Sequence, residues 1–436
     1  MIFEPEFETM PRGELEALQL ERLQRLVVYL RERVPLYRDR LDGVSEIRSL
    51  EDLRRLPFTR KTDLRDTYPF GLFAVPREEC VRLHASSGTT GKPIVVAYTR
   101  DDVDLFARVN ARVLAMAGAE PGMMLHNAYG YGLFTGGLGL HYGGERLGMT
   151  VVPVSGGMTE RQLGLIEDLR PDLITCTPSY ALTLAQGFAE RGLTPDEISL
   201  RFACVGAEPW TESMRAQIDA GLGIRATNIY GLSEIIGPGV SNECVEVRDG
   251  SHVSEDHFLP EIVDPGSGEP LPDGEQGVLV FTTLTKQALP LLRYWTGDIT
   301  SLSREPCSCG RTLARMGLIE GRTDDMLIVR GVNVYPTQVE SVLLRVPELT
   351  PHYRLVVTRE RTLDEVEVEV EVAESYLRSI GGGVDSAAAR TLERRVEGLI
   401  RDTIGASMRV TLLAPGDGPR SEGGKLARVE DRRRLA

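Results

Sequence analysis

Residues 86–93 have the types and the spacing of a loop that binds a polyanion. The octapeptide SSGTTGKP offers hydroxyl donors and one ammonium group, and its glycines let the backbone approach a ligand closely. It is not the ordinary P-loop, because Ser86 stands where the pattern GxxxxGK[ST] has its first glycine and Pro93 follows the lysine. We predict a phosphate-binding loop; a polar hairpin without a ligand is the alternative. The loop residues are Ser86, Ser87, Gly88, Thr89, Thr90, Gly91 and Lys92.

Three cysteines and a histidine form a second pattern with chemical potential. Cys307 and Cys309 lie on one tight turn, and Cys244 and His252 precede them in the chain. Three thiolates and one imidazole make the closed tetrahedral set of a structural zinc site. Free buried thiols are the competing interpretation, and His257 is an alternative fourth ligand.

The elements around these residues alternate between helices and short strands. Between residues 100 and 230 this alternation predicts βαβ units and a covered, largely parallel sheet. From 245 to 305 the turns are dense and the strands short, which predicts a more antiparallel, barrel-like portion. Composition shifts again near residue 321, where helices at 336–346 and 386–404 flank the alternating strand VEVEVEV at 366–372. We therefore predict an α/β protein with a large N-terminal domain, residues 1–323, and a smaller α+β domain, residues 324–436.

Composition argues against several classes of function. The 436 residues include 64 acids and 50 bases, a net charge of −14, so a nucleic-acid partner is not expected. No apolar run approaches the roughly 20 residues that a membrane span needs. The first residues resemble neither a secretory signal nor a transit peptide. We expect a cytoplasmic protein that binds no membrane.

The phosphate loop and four later segments, in the same order, resemble the motifs of the adenylate-forming enzymes. This superfamily contains acyl-CoA synthetases, nonribosomal adenylation domains and luciferases. The resemblance implies that the loop binds the pyrophosphate of ATP, that Glu234 holds Mg²⁺ and that Lys425 bridges the acyl carboxylate and the α-phosphate. A carboxylate is the hard oxygen ligand that Mg²⁺ prefers beside phosphates. The later segments are 230–234 (YGLSE), 293–298 (RYWTGD), 321–325 (GRTDD) and 423–426 (GGKL).

The same resemblance implies the rest of the nucleotide site. Tyr230 is expected to stack on adenine, Ser233 to meet the α-phosphate, and Asp298 to accept from both ribose hydroxyls. Arg322 is expected to reach the ribose or a phosphate, and Asp324 to be the hinge between the domains. Three further members are Glu208, Asn228 and Gly231.

One position departs from the superfamily pattern. Trp295 stands where related ligases often carry arginine, between the tyrosine and the threonine of RYWTGD. A bulky, uncharged side chain at this place affects the expected contacts near the nucleotide, not the expected reaction.

Longer segments are similar to signatures of one family, the phenylacetate-CoA ligases, and the resemblance runs from about residue 10 to the C-terminus. It implies a pocket in which a small aryl carboxylic acid lies against Tyr129 and Phe134. Flat side chains separated by glycines suit such a ligand, although ordinary core is the alternative for each aromatic residue. The expected pocket is completed by Gly206, Ala207, Ile235 and Pro238. The similar segments are 56–76, 128–148, 229–240, 255–265, 281–294 and 322–336.

The resemblance implies a two-step reaction with ATP, Mg²⁺ and coenzyme A. The acid first forms an acyl-adenylate and releases pyrophosphate, and CoA then displaces AMP. Phenylacetate is the expected acid, with hydroxyphenylacetates and benzoates as alternatives; a carrier-protein thiol or an amine is the alternative acceptor. Another alternative is a non-catalytic nucleotide-binding regulator. The presence of the expected catalytic and binding residues argues against it; these are Lys92, Glu234, Asp298 and Lys425. A homodimer is the family-based expectation.

Overall fold

The computed structural model describes residues 1–86, 93–323, 327–329, 332–360, 363–420 and 428–433. Within these ranges, none of the helices has both the length and the apolar character needed to cross a membrane. The helices are α1 (Pro5–Glu8), α2 (Arg12–Arg33), α3 (Pro35–Arg40), α4 (Lys61–Asp66), α5 (Arg100–Met116), α6 (Gly136–Leu147), α7 (Thr159–Leu169), α8 (Pro178–Glu190), α9 (Glu212–Leu222), α10 (Pro336–Leu343), α11 (Glu374–Ile380) and α12 (Ala387–Ile404).

A large mixed sheet forms the centre of the molecule. Its strands are β3 (Met124–Asn127), β4 (Thr150–Val152), β5 (Leu173–Cys176), β6 (Phe202–Gly206), β7 (Arg225–Leu232), β8 (Gly237–Glu243), β9 (Ser251–Val253), β13 (Leu302–Ser303) and β14 (Arg315–Met316). The order is β13-β14-β9-β8-β7-β6-β5-β3-β4, and the pairs from β4 to β7 are parallel. The predicted α/β class with βαβ units is thereby confirmed. Because parallel strands end at one edge, the residues after β5, β6 and β7 lie together.

Helix α6 is a glycine-rich element that packs against α5 and was not predicted from the alternation of elements. Glycine is a poor helix former, but here it permits close contact between the two helices. A Cβ atom on Gly143 would overlap Asn110, and one on Gly139 would overlap the ring of Phe106. Close packing in the folded protein therefore offsets the unfavourable local propensity.

The chain also forms smaller sheets. The hairpin of β1 (Arg82–Ala85) and β2 (Val95–Tyr98) flanks the predicted phosphate loop, as expected. The antiparallel portion predicted after residue 245 contains a four-stranded sheet, ordered β10-β11-β12-β15. Its strands are β10 (Phe258–Val263), β11 (Gly277–Thr283), β12 (Tyr294–Thr300) and β15 (Gly321–Arg322).

The C-terminal part has a hydrophobic core of its own, formed by residues between Leu327 and Val429. In its main sheet the valines of the predicted VEVEVEV strand are buried and the helix α12 packs on them. The strands are β16 (Leu327–Val329), β17 (Val332–Val334), β18 (Leu349–Glu360), β19 (Leu363–Val372), β20 (Arg409–Leu413) and β21 (Val429–Asp431). The sheet order is β20-β19-β18-β21, which is the expected α+β arrangement.

Candidate active site

The base of the predicted phosphate loop is held by short backbone contacts. The amide of Ser86 donates to the carbonyl of Ile94 at 2.9 Å, and the Ser86 hydroxyl accepts from the Ile94 amide at 3.0 Å. Next to them the amide of Ala85 donates to the carbonyl of Leu133 at 2.9 Å. The hairpin thus fixes where the loop begins and ends, beside the segment of the predicted acid pocket. Residues 87–92, Asp324 and Lys425 lie outside the described residues.

Two predicted nucleotide-binding residues, Tyr230 and Arg322, meet at the carboxylate of a third, Asp298. The Tyr230 hydroxyl donates to Oδ2 of Asp298 at 2.5 Å, and Nη1 of Arg322 donates to Oδ1. The pairing of β12 with β15 sets Asp298 opposite Arg322, so backbone register brings the ion pair together. Burial, and then the Asp298 charge, raise the pKa of the Tyr230 hydroxyl well above its ordinary value, which keeps it a donor. A carboxylate held on both oxygens is a well-oriented acceptor for ribose hydroxyls.

Trp295 points away from this cluster. On β12 it faces the opposite side from Asp298, and its ring packs edge-on against Phe58 at 5.2 Å between centroids. The guanidinium of Arg60 lies 4.3 Å above the same ring. Trp295, the departure from the superfamily pattern, therefore packs on Phe58 and Arg60 and leaves the Asp298 cluster intact.

The turn after β7 carries the predicted magnesium ligand. Glu234 is 6% exposed, and its Oε1 accepts from the Tyr294 hydroxyl at 3.2 Å. Among the described residues no hydrogen bond to its Oε2 is seen, so one carboxylate oxygen remains for a hard cation. Ser233, beside it, lies 3.4 Å from the Thr135 hydroxyl. The donor type and the remaining oxygen fit Mg²⁺ bound with a nucleotide.

The other predicted nucleotide residues have defined surroundings. Glu208 accepts from the Ser179 hydroxyl at 2.7 Å, across the strand ends of β5 and β6. Asn228 accepts from Nε1 of Trp210 at 2.9 Å, a contact that no sequence pattern indicated. A Cβ atom on Gly231 would overlap the carbonyl oxygen of Gly237, so this position requires glycine.

Tyr129 and Phe134 are the two aromatic residues of the predicted pocket. Tyr129 is buried, and a Cβ on Gly136 would contact both its Cβ and the ring of Phe134, which places the two aromatic residues side by side. Burial raises the pKa of the Tyr129 phenol well above its ordinary value. Phe134 is 43% exposed, so it lies at the surface rather than inside a closed pocket. The roles of these side chains towards an acid stay predictions.

The remaining pocket residues differ in burial. Ala207 follows Gly206 with a φ of 69°, a left-handed conformation that is unusual for a residue with a side chain. Pro238 lies near Gly139, whose added Cβ would approach its ring at 2.9 Å. Ile235 is fully buried and belongs to the main core cluster. Its position agrees with the alternative interpretation of ordinary core.

The four predicted metal ligands converge. The candidate ligand atoms of Cys244, His252, Cys307 and Cys309 all lie within 4.8 Å of one another. The Sγ atoms of Cys244 and Cys307 are 3.8 Å apart, and Sγ of Cys309 is 3.5 Å from Nε2 of His252. The alternative prediction, that His257 is the fourth ligand, is wrong. Its Nδ1 lies 2.8 Å from the Thr285 hydroxyl and its Nε2 faces Asp256 at 3.1 Å.

Comparison with known proteins agrees with this architecture. Residues 48–285 match the family model for AMP-binding enzymes, and residues 331–433 match the AMP-binding enzyme C-terminal domain. The crystal structure of 2-hydroxyisobutyryl-CoA ligase in the postadenylation state, in complex with 2-HIB-AMP, superposes with a TM-score of 0.90 at 30% identity. The superposition covers 99% of this chain and 92% of that one. Fold and site thus define an adenylate-forming, AMP-binding enzyme.

Curated relatives narrow this class to one family. The phenylacetate-coenzyme A ligase of Thermus thermophilus is 66% identical over 445 residues, covering 100% of both chains. The phenylacetate-coenzyme A ligase of Escherichia coli K12 is 50% identical over 434 residues, 98% of this chain and 97% of that protein. The chain belongs to the phenylacetate-CoA ligase family, and the predicted resemblance is confirmed.

Proposed function

We propose that the protein is an AMP-forming acid–CoA ligase that converts phenylacetate, ATP and coenzyme A into phenylacetyl-CoA, AMP and pyrophosphate. The observation that carries this proposal is the 66% identity, over the whole chain, to a curated phenylacetate-coenzyme A ligase. Relatives with the same name from Aromatoleum evansii and Pseudomonas putida, at 51% and 50% identity, support the same acid.

In the first step a carboxylate oxygen of the acid attacks the α-phosphorus of ATP, and the bond to the β-phosphate oxygen breaks. Both reactants are anions, so catalysis depends on orientation and on cations placed between them. We assign Lys425 to offset the repulsion between carboxylate and α-phosphate, and Lys92 with its loop to hold the departing pyrophosphate. Mg²⁺ held by Glu234 neutralises phosphate charge when it is bound.

The nucleotide is oriented by the cluster at Asp298. Its carboxylate accepts from the ribose hydroxyls while Tyr230 and Arg322 hold it in place. Because both of its oxygens are already engaged by donors, the carboxylate keeps its orientation before ATP binds, and less conformational freedom is lost on binding.

In the second step the thiolate of CoA attacks the acyl carbon, and AMP leaves. We propose that the C-terminal domain rotates about Asp324 between the steps, withdrawing Lys425 and opening a route for CoA. Solved structures of 2-hydroxyisobutyryl-CoA ligase in two states support this proposal. At the same identity of 30%, the TM-score is 0.90 to its postadenylation state and 0.72 to its thioesterification state. The higher TM-score supports a domain arrangement like that of the postadenylation state for this chain.

A panel of acids tests the substrate. Pyrophosphate release is measured with phenylacetate, 4-hydroxyphenylacetate, benzoate and short aliphatic acids, with and without CoA. The proposal predicts the highest kcat/KM for phenylacetate and turnover that depends on CoA. Preference for another acid overturns the substrate, and indifference to CoA overturns the acceptor.

The division of labour between the domains is tested with Lys425→Ala. Loss of one preorganised cation is expected to slow adenylation by about 10²–10³-fold. Thioester formation from supplied phenylacetyl-adenylate is expected to continue at the wild-type rate. Equal loss of both half-reactions contradicts the role assigned to this lysine.

We propose that the Cys₃His cluster holds a structural zinc ion. Two sulfurs at about 2.3 Å from a tetrahedral zinc lie about 3.8 Å apart, and a sulfur and an imidazole nitrogen lie about 3.6 Å apart. The separations of 3.8 Å for Cys244–Cys307 and 3.5 Å for Cys309–His252 match these values. The ion ties the turn at 307–309 to β9, without taking part in the reaction.

Metal analysis of protein purified without chelator tests the zinc proposal. One zinc per chain is expected, together with a lower thermal midpoint after chelation. Cys309→Ser is expected to lose the metal, whereas Cys80→Ser, outside the cluster, is expected to retain it. Absence of metal from the wild-type protein contradicts the proposal.

The expectations of a homodimer and of a cytoplasmic location remain proposals that rest on the family. Light scattering of the purified protein tests the first, because a dimer has twice the mass of the 48.1 kDa chain. Fractionation of the source cells tests the second.

A further inference from the structure

Lys286 is a buried cation for which the reaction scheme has no role so far. It lies in the segment between β11 and β12 and is 2% exposed. Within the described part of the chain its Nζ donates one hydrogen bond, to the backbone carbonyl of Glu234 at 3.2 Å. An ammonium group carries three donors, and burying it is expensive unless it is paired. A lysine buried in this place therefore needs nearby groups that compensate its charge.

The surroundings of Lys286 link it to the turn that carries Glu234. Its Nζ lies 5.0 Å from the centre of the Tyr98 ring, and the Tyr98 hydroxyl donates to the carbonyl of Ile236 at 2.9 Å. Residues 233–236 form the turn after β7, so Lys286 and Tyr98 bind two of its carbonyl groups from one side. The Glu234 carboxylate is held separately, by the Tyr294 hydroxyl at 3.2 Å.

Burial lowers the pKa of Lys286 to about 8, and two nearby carboxylates partly offset this effect. The negative charges of Asp102, which is 1% exposed, and Glu234 favour the protonated form of this lysine. Asp102 is held by backbone donors, because it accepts from the amides of Gln287 and Ala288 at 2.7 and 2.8 Å. The segment that carries Lys286 is thus fixed to the start of α5, and its ammonium is directed at the Glu234 turn.

We propose that Lys286 is a positioning residue that orients Glu234 for the magnesium ion of MgATP. It holds the main chain of Glu234 by a hydrogen bond while Tyr294 holds one carboxylate oxygen, and the other oxygen accepts no hydrogen bond from the described residues. This inference rests on the magnesium role assigned to Glu234 in the proposed function. Partners in the outer shell of a metal site typically affect metal affinity by about 10–100-fold.

Binding of a non-cleavable nucleotide tests the proposal without relying on turnover. The affinity for α,β-methylene-ATP is measured by calorimetry, with and without Mg²⁺, for the wild type, Lys286→Met and Lys286→Arg. Lys286→Met keeps the length of the side chain but removes the charge and the donors. We expect it to lower the affinity measured with Mg²⁺ by about tenfold, and to leave the affinity without metal unchanged. Lys286→Arg, which keeps charge and donors, is expected to restore most of the difference.

The outcomes separate this inference from the function on which it rests. Glu234→Gln is measured in parallel and is expected to abolish the effect of Mg²⁺. If Glu234→Gln abolishes it and Lys286→Met does not change it, the inference is wrong and the magnesium role of Glu234 stands. An equal loss with and without metal in Lys286→Met assigns the lysine to general stability and also overturns the inference. If Glu234→Gln has no effect, the inference about Lys286 and the magnesium role of Glu234 are both wrong.

A variant that does not fold is covered by a second substitution. Lys286→Gln retains one donor without charge, and is used where Lys286→Met gives no folded protein by circular dichroism. It is expected to lose part of the magnesium-dependent affinity. Wild-type dependence on Mg²⁺ in a folded Lys286→Gln protein contradicts the proposal.

Discussion

Removing a single hydroxyl group, in Tyr230→Phe, tests how the nucleotide is oriented. The substitution keeps the aromatic ring but deletes the hydrogen bond of 2.5 Å to Oδ2 of Asp298. A hydrogen bond to a charged group contributes about 1.5–3 kcal/mol, which corresponds to about 10- to 150-fold. Asp298 keeps Arg322 as its second partner, so we expect the lower end, about a tenfold fall in kcat/KM for ATP.

The assay for Tyr230→Phe is pyrophosphate release at varied ATP, with phenylacetate and CoA saturating. Because Asp298 is assigned to the ribose, discrimination between ATP and 2′-deoxy-ATP is expected to narrow in the same variant. The KM for phenylacetate should stay at its wild-type value. Tyr376→Phe is a matched control, since its hydroxyl donates to the carbonyl of Ala388 at 3.2 Å within the C-terminal part. Unchanged kinetics with ATP, or an equal change for ATP and acid, would contradict the role assigned to the Tyr230 hydroxyl.

Three further substitutions have expected outcomes. Gly231→Ala places a Cβ onto the carbonyl of Gly237, and is expected to abolish nucleotide binding in calorimetry. Glu371→Gln weakens the ion pair in which the Glu371 carboxylate accepts from Arg420 at 2.7 and 2.8 Å, and Arg420 directly precedes residues 421–427. The substitution is expected to slow adenylation about tenfold while sparing the thioester step. Equal slowing of both steps contradicts this expectation. Burial raises the pKa of Glu340 to about 7, so its contribution to stability is lost as pH rises through 7. Glu340→Gln is therefore expected to raise the thermal midpoint at pH 8, with a smaller gain at pH 5, and a uniform gain would argue against this cause.

Local patterns predicted the parallel part of the sheet, the strands of the small domain and the order of the motifs. The VEVEVEV strand is a clear case, because alternation alone determines which side chains face the core. The cysteine and histidine cluster was also predictable, since CxC turns and nearby histidines are recognisable from spacing.

Contacts between distant segments were not predictable. The N-terminal residue Glu8 pairs with Arg311 at 2.7 Å, and Arg112 binds Asp256 at 2.6 Å, both buried. Nothing local in the chain selects these partners, because surface salt bridges have the same residue types. Lys286 gave one weak signal, a lone lysine just before the apolar run ALPLL, but its contact with the Glu234 carbonyl depends on tertiary structure.

The glycine-rich helix α6 was not predicted, for the opposite reason. Its local composition disfavours a helix, and only the close approach of α5, visible at Gly143 and Gly139, explains why it forms. The same segment follows the predicted aryl pocket, so the packing that overrides propensity also positions Tyr129 and Phe134.

The most direct test of the central claim is the stoichiometry of products with phenylacetate. Purified protein is incubated with phenylacetate, ATP, Mg²⁺ and CoA, and phenylacetyl-CoA, AMP and pyrophosphate are measured by mass spectrometry and coupled assay. We expect the three products in equal amounts, and no thioester when any one substrate is omitted. Formation of ADP and phosphate, or pyrophosphate release without phenylacetyl-CoA, would contradict it.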